Sequence, residues 1–445
     1  MPPELAVNNF NKPTNILFIY HRLDGIGGIE TRWIDEFQYL NKHNYHVYLL
    51  THKRAFDPNI AKLFNTCHFT TVDIESVSLA TDFIKLVDHV VDTIESHDIE
   101  LLSIHMLDLF ACAAVMAAQL CRIPVISTIH GTPDIYRAPF NRLFIQSLTG
   151  NSFSLSVSVS KHLEGIYFSQ APLIKVIPNL INLNEYRHQA SEITPAWLLI
   201  SRISAEKYES ILRFLQAANS CNIANIDIAG GGDPLELRKR INALDIKTQV
   251  RFLGEVRDIA ELMPGYLGVA GMGRVAIEGL ACQKPVCIIS PEGNLIGLVT
   301  AYNFTRLRNY NFTGKGLVAI DNQELSKQLE RHTPENSQHL YQKLKHELSI
   351  DNWDKYIELY KKTTFIDNQA LESLYHKLAY FAVTLSRPFE KDKFFWHLFY
   401  ETLIEYKLDD IREMYHYYED SIGLTSDYPN PYVTNKKVKW RDKFK

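Results

Sequence analysis

Three charged side chains in the second half of the chain have the types and the spacing to bind one anionic ligand. Arg202 ends the apolar run 197–202, and Lys207 follows five residues later, before a helix with an apolar period. Glu278 lies on a helix that follows the predicted strand 266–270 and a glycine turn. Ligands of open α/β sheets bind at strand ends, where loop backbone and helix N-termini converge. Two cations suit a diphosphate and a carboxylate suits two sugar hydroxyls, so the sequence predicts a nucleotide-sugar site between two domains.

Two glycine turns are expected to border the same cleft. Gly27 and Gly28 lie between the first predicted strand and the first helix. Gly271 and Gly273 lie between the strand 266–270 and its helix, with Arg274 directly after them. Glycine lets the backbone approach a phosphate closely, and a helix N-terminus offers unpaired N–H groups to an anion. We therefore expect both turns to contact the donor.

His130 directly follows the predicted strand 125–129, on the same sheet edge as the first glycine turn. A histidine at a strand end is either structural or functional, and both interpretations stay open here. A second interpretation is also open for Arg202 and Lys207. Both would be solvated surface charges, and Lys207 would contact Glu206 or Glu209.

Composition limits the class of protein. At 445 residues the chain is too long for one ordinary core, so two or three domains are expected. Its 46% hydrophobic and 22% charged residues are typical of a soluble globular protein. The formal net charge of −4 argues against a nucleic-acid partner. The six cysteines show no metal-binding spacing, which favours reduced core cysteines in a cytosolic protein, and residues 1–14 do not resemble a secretory signal.

Residues 101–120 are apolar and about long enough to span a membrane. They contain His105 and Asp108, however, and a second apolar run follows at residues 125–129. A buried strand, a buried helix and another strand explain this pattern better than a membrane helix, because parallel sheets are covered on both faces.

Apolar runs of strand length alternate with helical patterns along most of the chain. The predicted strands are 15–20, 45–51, 69–73, 101–105, 125–129, 155–158 and 174–178, then, after a polar linker at 183–196, 197–202, 225–229, 250–253, 266–270 and 286–289. This alternation is typical of parallel, doubly wound sheets. The fold class is therefore α/β, with two Rossmann-like doubly wound domains at residues 1–190 and 191–350.

Residues 366–445 form a C-terminal extension that is rich in aromatic residues and that we predict to be helical. Two apolar stripes, at 371–382 and 394–404, have the spacing of helix-packing faces. Residues 434–445 carry six basic residues against one acid. Either this tail is a solvated terminus, or it makes a peripheral contact with an anionic membrane surface.

Seven motifs in order resemble those of GT-B glycosyltransferases of family 4, which are retaining enzymes, over about residues 15–365. The GGxE turn matches residues 27–30, the IPN start of a second motif matches 177–179, and an Arg-x4-Lys motif matches Ser201 to Lys207. The remaining matches are residues 104–131, 228–234, 250–254 and 271–286. Residues 352–360 are similar to the helix with which such chains cross back to the first domain, which predicts a crossover helix at 351–365.

The resemblance implies a role for each matching residue. Arg202 and Lys207 would neutralise the donor diphosphate and its departure. Glu278 would accept hydrogen bonds from the ribose, and His130 would contact the transferred sugar or stabilise the transition state. The N-terminal domain would face the acceptor, and the C-terminal domain would bind the donor.

The sequence also departs from the family pattern. Ala270 stands where the family has its first glutamate, which removes one expected contact to the donor sugar. Leu180 and Asn182 replace a usual glycine and aspartate, and Arg274 stands at a position that is more often apolar. No DxD triplet occurs in the chain, so we predict no metal site and assign the electrostatic role to the two cations.

These observations predict a cytoplasmic, metal-independent, retaining glycosyltransferase of the hexosyltransferase class without a cofactor. It would move a sugar from a UDP- or GDP-linked donor to a glycan or lipid-linked acceptor, in surface polysaccharide or glycoconjugate synthesis at the inner face of the membrane. One alternative is a catalytically weakened GT-B protein that acts as a binding or assembly partner. Another is a sugar-nucleotide epimerase, which the Arg-x4-Lys spacing disfavours.

Overall fold

The computed structural model describes residues 14–74, 80–106, 108–130, 156–158, 174–186, 192–256, 258–365, 367 and 369–384. The basic tail 434–445, the stripe 394–404 and most of the predicted extension lie outside these residues. The loop that follows His130 lies outside them as well.

Seven parallel strands form the sheet of the N-terminal domain. They are β1 (Thr14–Ile19), β2 (Tyr45–His52), β3 (Cys67–Val72), β4 (Leu101–Ile104), β5 (Val125–Ile129), β6 (Ser156–Ser158) and β7 (Ile174–Val176). Their order across the sheet is β3-β2-β1-β4-β5-β6-β7. The order reverses between β1 and β4, and the loops after these two strands therefore border the crevice where such sheets bind ligands. The described helices of this domain are Gly28–Lys42, Pro58–Ala61, Ala80–Ser96 and Leu109–Leu120.

Six strands form the sheet of the C-terminal domain. They are β8 (Thr194–Ile200), β9 (Asn225–Ala229), β10 (Gln249–Gly254), β11 (Tyr266–Gly271), β12 (Val286–Ile289) and β13 (Leu295–Leu298). The order is β10-β9-β8-β11-β12-β13, and β13 is antiparallel to β12. Here the order reverses between β8 and β11, so the second crevice lies beside the loops after these strands. Helices of this domain are Tyr208–Ser220, Leu235–Asn242, Ile259–Leu262, Arg274–Ala281, Phe304–Asn309, Asn322–Arg331 and Pro334–Leu348.

The predicted fold class, α/β with two doubly wound domains, is confirmed, and the differences are local. β8 begins at Thr194, inside the stretch that composition indicates as a linker, because its first residues pair with β11. Ile181 and Tyr186 pack in the core of the C-terminal domain, although they precede the predicted boundary at residue 190. The strand β13 is not predicted at all, since Gly297 interrupts a short apolar run. The domain boundaries themselves stay predictions.

The apolar stretch 101–120 divides into β4 and the helix Leu109–Leu120. Asp108 begins this helix, because its Oδ1 accepts a hydrogen bond from the backbone N–H of Ala111 at 2.9 Å. None of the described helices combines the length and the hydrophobicity that a membrane span requires.

The last described helices, Asp354–Lys362 and Gln369–Thr384, pack on the N-terminal domain. Trp353 and Tyr360 lie in the core of that domain, together with Leu371, Leu374 and Leu378 of the predicted stripe 371–382. A buried polar contact anchors the first helix, because the Tyr360 hydroxyl donates to Oε1 of Glu36 at 2.7 Å. The same carboxylate accepts from Nε of Arg32 at 3.1 Å. The chain therefore crosses back to the domain in which it began.

We predict that Tyr360→Phe lowers the free energy of unfolding by about 2 kcal/mol, the usual contribution of a hydrogen bond to a buried charged group. Tyr356→Phe is the matched control, because the Tyr356 hydroxyl makes no hydrogen bond within the described residues, and it should change stability by less than about 0.5 kcal/mol. Urea unfolding of the full chain measures both. Equal stability of the two variants would show that the Tyr360–Glu36 contact does not hold the crossover helix.

Candidate functional site

The strand order of each sheet reverses at one place, its switch point, and the loops at the two switch points approach each other. A Cβ atom built on Gly27, in the loop after β1, would lie 3.9 Å from Nη2 of Arg202, in the loop after β8. A Cβ atom built on Gly28 would lie 3.7 Å from Cβ of Arg274, after β11. The structure therefore brings the glycine turn of the N-terminal domain against both crevice loops of the C-terminal domain. Glu30 fixes this turn, since its Oε2 accepts from the Gly27 N–H at 2.9 Å.

The loop that carries Arg202 is braced by a second glycine-rich loop, which follows β9. A Cβ atom on Gly230 would lie 1.9 Å from the carbonyl oxygen of Ser201, and one on Gly232 would lie 2.1 Å from that of Ile203. Gly232 also has a φ of +124°, which side-chain-bearing residues rarely adopt. Only glycine allows the two loops to pack this closely. Gly230 and Gly232 thus position the Arg202 loop.

Arg202 is exposed and Lys207 is half-buried, in the 3-10 turn Ala205–Lys207. Neither residue forms a salt bridge in the part of the chain that the structure describes. Glu209, one of the two expected partners of Lys207, instead pairs with Arg240 at 3.4 Å. Within the described ranges, neither predicted diphosphate cation is therefore held by a carboxylate in a salt bridge.

A third charged group lies on the same sheet edge as Lys207. Glu292 follows β12, in a turn that Ser210 ties to the neighbouring helix by donating to the Ser290 carbonyl at 2.9 Å. Partial burial alone would raise the pKa of Glu292, but the hydrogen bond from Ser290 and the charges of Lys315 and Lys207 lower it below its usual value. Glu292 therefore lies near Lys207, and the sequence does not predict this carboxylate as part of the site.

The second glycine turn is shaped by close backbone packing. A Cβ atom on Gly271 would lie 2.5 Å from Cγ1 of Val275. Gly273 begins the helix Arg274–Ala281 with a φ of 61°, and its N–H donates to the carbonyl of Phe312 at 3.1 Å. The neighbouring Asn311 accepts through Oδ1 from Nδ2 of Asn179 at 2.9 Å, which ties the Ile-Pro-Asn motif to the turn.

Arg274 lies in a buried ion cluster between the domains. Its Nη2 contacts Oδ2 of Asp35 at 2.5 Å, and Asp35 belongs to the first helix of the N-terminal domain. Its Nε donates to Oε1 of Glu278 at 3.1 Å, and its Nη1 donates to the carbonyl of Leu180 at 2.5 Å. Arg274 and Glu278 are each only 6% exposed. The Arg274 guanidinium, which we expect to contact the donor, is thus already bonded to three protein groups.

The predicted ribose ligand, Glu278, is held by the same cluster. Burial raises the pKa of its carboxyl group, while Arg274 and a hydrogen bond from Tyr186 oppose that rise. Arg274 and Tyr186 already contact this carboxylate. The role of Glu278 toward a ribose stays a prediction. Ala270, where the family has its first glutamate, is fully buried in the core of the C-terminal domain.

His130 lies at the end of β5 and contacts His105, which follows the adjacent strand β4. His105 Nδ1 and His130 Nε2 are 2.8 Å apart, and Ser103 Oγ lies 2.9 Å from Nε2 of His105. Burial lowers the pKa of His130 to about 3, and the nearby charge of Arg32 acts in the same direction. Burial, His130 and Arg32 also lower the pKa of His105 well below its ordinary value. Both rings are therefore neutral at physiological pH.

The structure thus brings some of the predicted residues together directly and leaves others apart. Gly27, Gly28, Arg202, Arg274 and Glu278 form one continuous region with the turn Gly271–Gly273. Within the described residues, no hydrogen bond or ion pair joins His130 to that region. Four further residues of these clusters lie on ordinary amphipathic or apolar segments without a motif of their own, and so escape prediction from the sequence: Asp35, Tyr186, Ser103 and Arg32.

A family comparison matches the first of the two domains. Residues 26–185 fit the model described as Glycosyltransferase Family 4. This segment contains the Gly27 turn, His130 and the Ile-Pro-Asn motif. The chain resembles a family 4 glycosyltransferase. The predicted resemblance is therefore confirmed. A search of curated protein sequences finds no significant match.

Solved structures extend the likeness to both domains. A glycosyltransferase from Rickettsia africae ESF-5 has a TM-score of 0.55 at 15% identity, over 79% of this chain and 98% of its own. TarM has a TM-score of 0.56 at 10% identity, over 79% and 99%. The UDP-GlcNAc 2-epimerase from Neisseria meningitidis, in a structure bound to UDP-GlcNAc, has a TM-score of 0.53 at 16% identity, over 79% and 100%. These likenesses establish the GT-B fold and do not distinguish a transferase from an epimerase.

The neutral histidine pair predicts how the stability of the protein depends on pH. An unfolded chain protonates a histidine near pH 6.5, whereas buried His105, with its lowered pKa, stays neutral in the folded state. The stability that neutral His105 contributes is therefore present above pH 6.5 and is lost as the pH falls below it. We expect His105→Phe to have a lower free energy of unfolding than the natural chain, and this difference to shrink by about 1 kcal/mol between pH 6 and pH 5.

Urea unfolding at pH 7, 6 and 5 measures this difference. His339→Asn is the control, because His339 is an exposed histidine on the helix Pro334–Leu348. A deficit of His105→Phe that stays constant across this pH range would contradict a neutral, buried His105.

Proposed function

We propose that the protein is a retaining glycosyltransferase that moves a sugar from a nucleoside-diphosphate donor to a glycan or lipid-linked acceptor. The observation that carries the proposal is the approach of the Gly27–Gly28 turn to Arg202. It sets the exposed charge of Arg202, which has no salt-bridge partner among the described residues, beside glycine backbone and helix N-termini.

Each part of a nucleotide sugar has a candidate contact at this place. Arg202 and Lys207 would bind the diphosphate and stabilise its negative charge as it leaves. The N-terminus of the helix Gly28–Lys42 and the turn at Gly271 and Gly273 would approach phosphate and sugar. His130 would contact the transferred sugar from the N-terminal domain. A UDP- or GDP-linked hexose would be the substrate, and the proposal needs no cofactor.

The cellular setting follows from the same proposal. An acceptor on a growing surface glycan or a lipid carrier would place the reaction in the cytoplasm, at the inner face of the membrane. The basic tail 434–445 would then contribute a weak electrostatic contact with anionic lipid.

Two observations favour a catalytically weakened binding partner as the second candidate. The position of the first family glutamate holds the fully buried Ala270, and Glu278 is occupied by Arg274. Such a protein would still bind the diphosphate through Arg202 and Lys207. An epimerase is the third candidate, and the Arg-x4-Lys spacing remains the argument against it.

The test is a panel of uridine, guanosine and adenosine diphosphate sugars, scored by thermal shift and by release of the free diphosphate. We expect one donor to be hydrolysed in preference to the others. Arg202→Ala and Lys207→Ala should each lower kcat/KM by about 10- to 150-fold, or about 1.5–3 kcal/mol, because each removes a charge-assisted hydrogen bond. Folding of both variants should be nearly unchanged.

Lys327→Ala is the matched control, since Lys327 is an exposed lysine on the helix Asn322–Arg331, which packs against β13. A thermal shift without turnover across the whole panel would favour the binding partner. Full activity of both cation variants would show that the diphosphate binds elsewhere, and absence of both signals would leave only the fold.

A second prediction concerns metals. The chain has no DxD triplet, and the described residues hold no group of three side chains suited to bind a metal ion. We expect EDTA to leave the initial rate within about twofold, because the two cations would carry the electrostatic role. A loss of rate that Mg²⁺ or Mn²⁺ restores would contradict this mechanism.

A further inference from the structure

Three polar side chains of the N-terminal domain form a hydrogen-bonded chain that ends at His130. Ser103 lies on β4 and is fully buried, His105 follows the same strand, and His130 follows β5. The 2.9 Å and 2.8 Å contacts join them in the order Ser103, His105, His130. His105 is fixed in orientation, because its ring stacks on Phe18 at 5.0 Å and meets Trp33 edge-on at 4.8 Å.

Two proton arrangements satisfy this chain, and they present opposite groups at its end. A neutral imidazole has one N–H donor and one bare nitrogen. If Ser103 donates to Nε2 of His105, then His105 donates from Nδ1 to His130, whose own Nδ1 carries the outer N–H. If the order is reversed, His105 donates to Ser103, and His130 presents a bare Nδ1.

The surroundings of Ser103 decide between the two arrangements. In the reversed order, its hydroxyl accepts from His105 and needs another acceptor for its own proton. No atom other than Nε2 of His105 is hydrogen-bonded to Ser103 Oγ in the residues that the structure describes. A buried O–H without an acceptor costs about 1–3 kcal/mol, so the first arrangement is favoured. All the donors then point from the strand toward His130.

We propose that Ser103 and His105 are positioning residues that hold His130 as the Nδ1–H tautomer, so that it presents a neutral N–H donor to a substrate oxygen. His130 is only partly buried, unlike Ser103 and His105. Such a donor suits a sugar hydroxyl or an oxygen that gains negative charge, and it does not suit the removal of a proton. The role toward substrate rests on the proposed function, whereas the tautomer does not.

The tautomer can be measured without any activity. In the full chain labelled with ¹⁵N-histidine, two-bond ¹H–¹⁵N correlations at pH 7.5 identify which ring nitrogen carries the proton. His130→Ala assigns the signal. We expect His130 as the Nδ1–H form and His105 protonated on Nδ1. Observation of His130 with its proton on Nε2 would overturn the proposal.

Ser103→Ala tests whether the hydroxyl sets the direction. Among the described residues, Ser103 is the one donor to Nε2 of His105, so we expect His130 to populate both tautomers in this variant. Ser127→Ala is the matched control, because Ser127 is a buried serine on the neighbouring strand β5. It should leave the spectrum of His130 unchanged. An unchanged single tautomer in Ser103→Ala would show that Ser103 does not direct the chain.

Kinetics with the active donor then test the link to the reaction. His105→Phe keeps a flat ring but has no N–H, and it should lower kcat by about 10- to 100-fold with little change in KM. His105→Asn, whose amide can replace the donating Nδ1–H, should recover most of that loss. In the His130→Ala background, His105→Phe should have no further effect, because His105 acts through His130. Additive losses would make His105 a structural residue only. Absence of any turnover would contradict the proposed function and leave the spectral test of the tautomer standing.

Discussion

The geometry between the two domains depends on one buried cation. The Arg274 guanidinium bonds Asp35 in the N-terminal domain, Glu278 on its own helix and the Leu180 carbonyl at the same time. Two carboxylates in that position would be costly to desolvate without a cation, because breaking a buried pair typically costs about 3–5 kcal/mol. The same side chain lies against Gly28, so the separation of the facing loops is fixed by a contact that involves no ligand.

This cluster divides the charges of the region into two kinds. The charges of Arg274, Asp35 and Glu278 are buried and satisfy one another, whereas Arg202 is exposed and without a salt-bridge partner among the described residues. Since the chain as a whole is slightly acidic, attraction of an anion must come from local cations and helix N-termini. The glycines at 230 and 232 hold the exposed cation in place by backbone packing, so its position depends on shape and not on a counter-charge.

The sequence was sufficient for the fold and for the loops, but not for the partners across the fold. Alternating strands and helices predict both sheets, and the glycine turns mark the switch points. The ion pair between Arg274 and Asp35 spans 239 residues, and Asp35 looks like any polar position on an amphipathic helix. Ser103 and His105 stand two residues apart in sequence, which places them on one face of an extended strand, but nothing in their spacing names His130 as the neighbour. The strand β13 escapes prediction because a four-residue run with a central glycine resembles a loop.

The return of the chain to its starting domain has a consequence for synthesis on the ribosome. The core of the N-terminal domain includes Trp353, Tyr360, Leu371, Leu374 and Leu378, which are translated after the whole C-terminal domain. The described core residues of the C-terminal domain all lie between Ile181 and Leu348. The domain that is made first is therefore the one that must wait for its last helices, with part of its apolar surface open while the later domain is completed. For a nascent chain, the order of translation and the order in which the two cores can close are opposite.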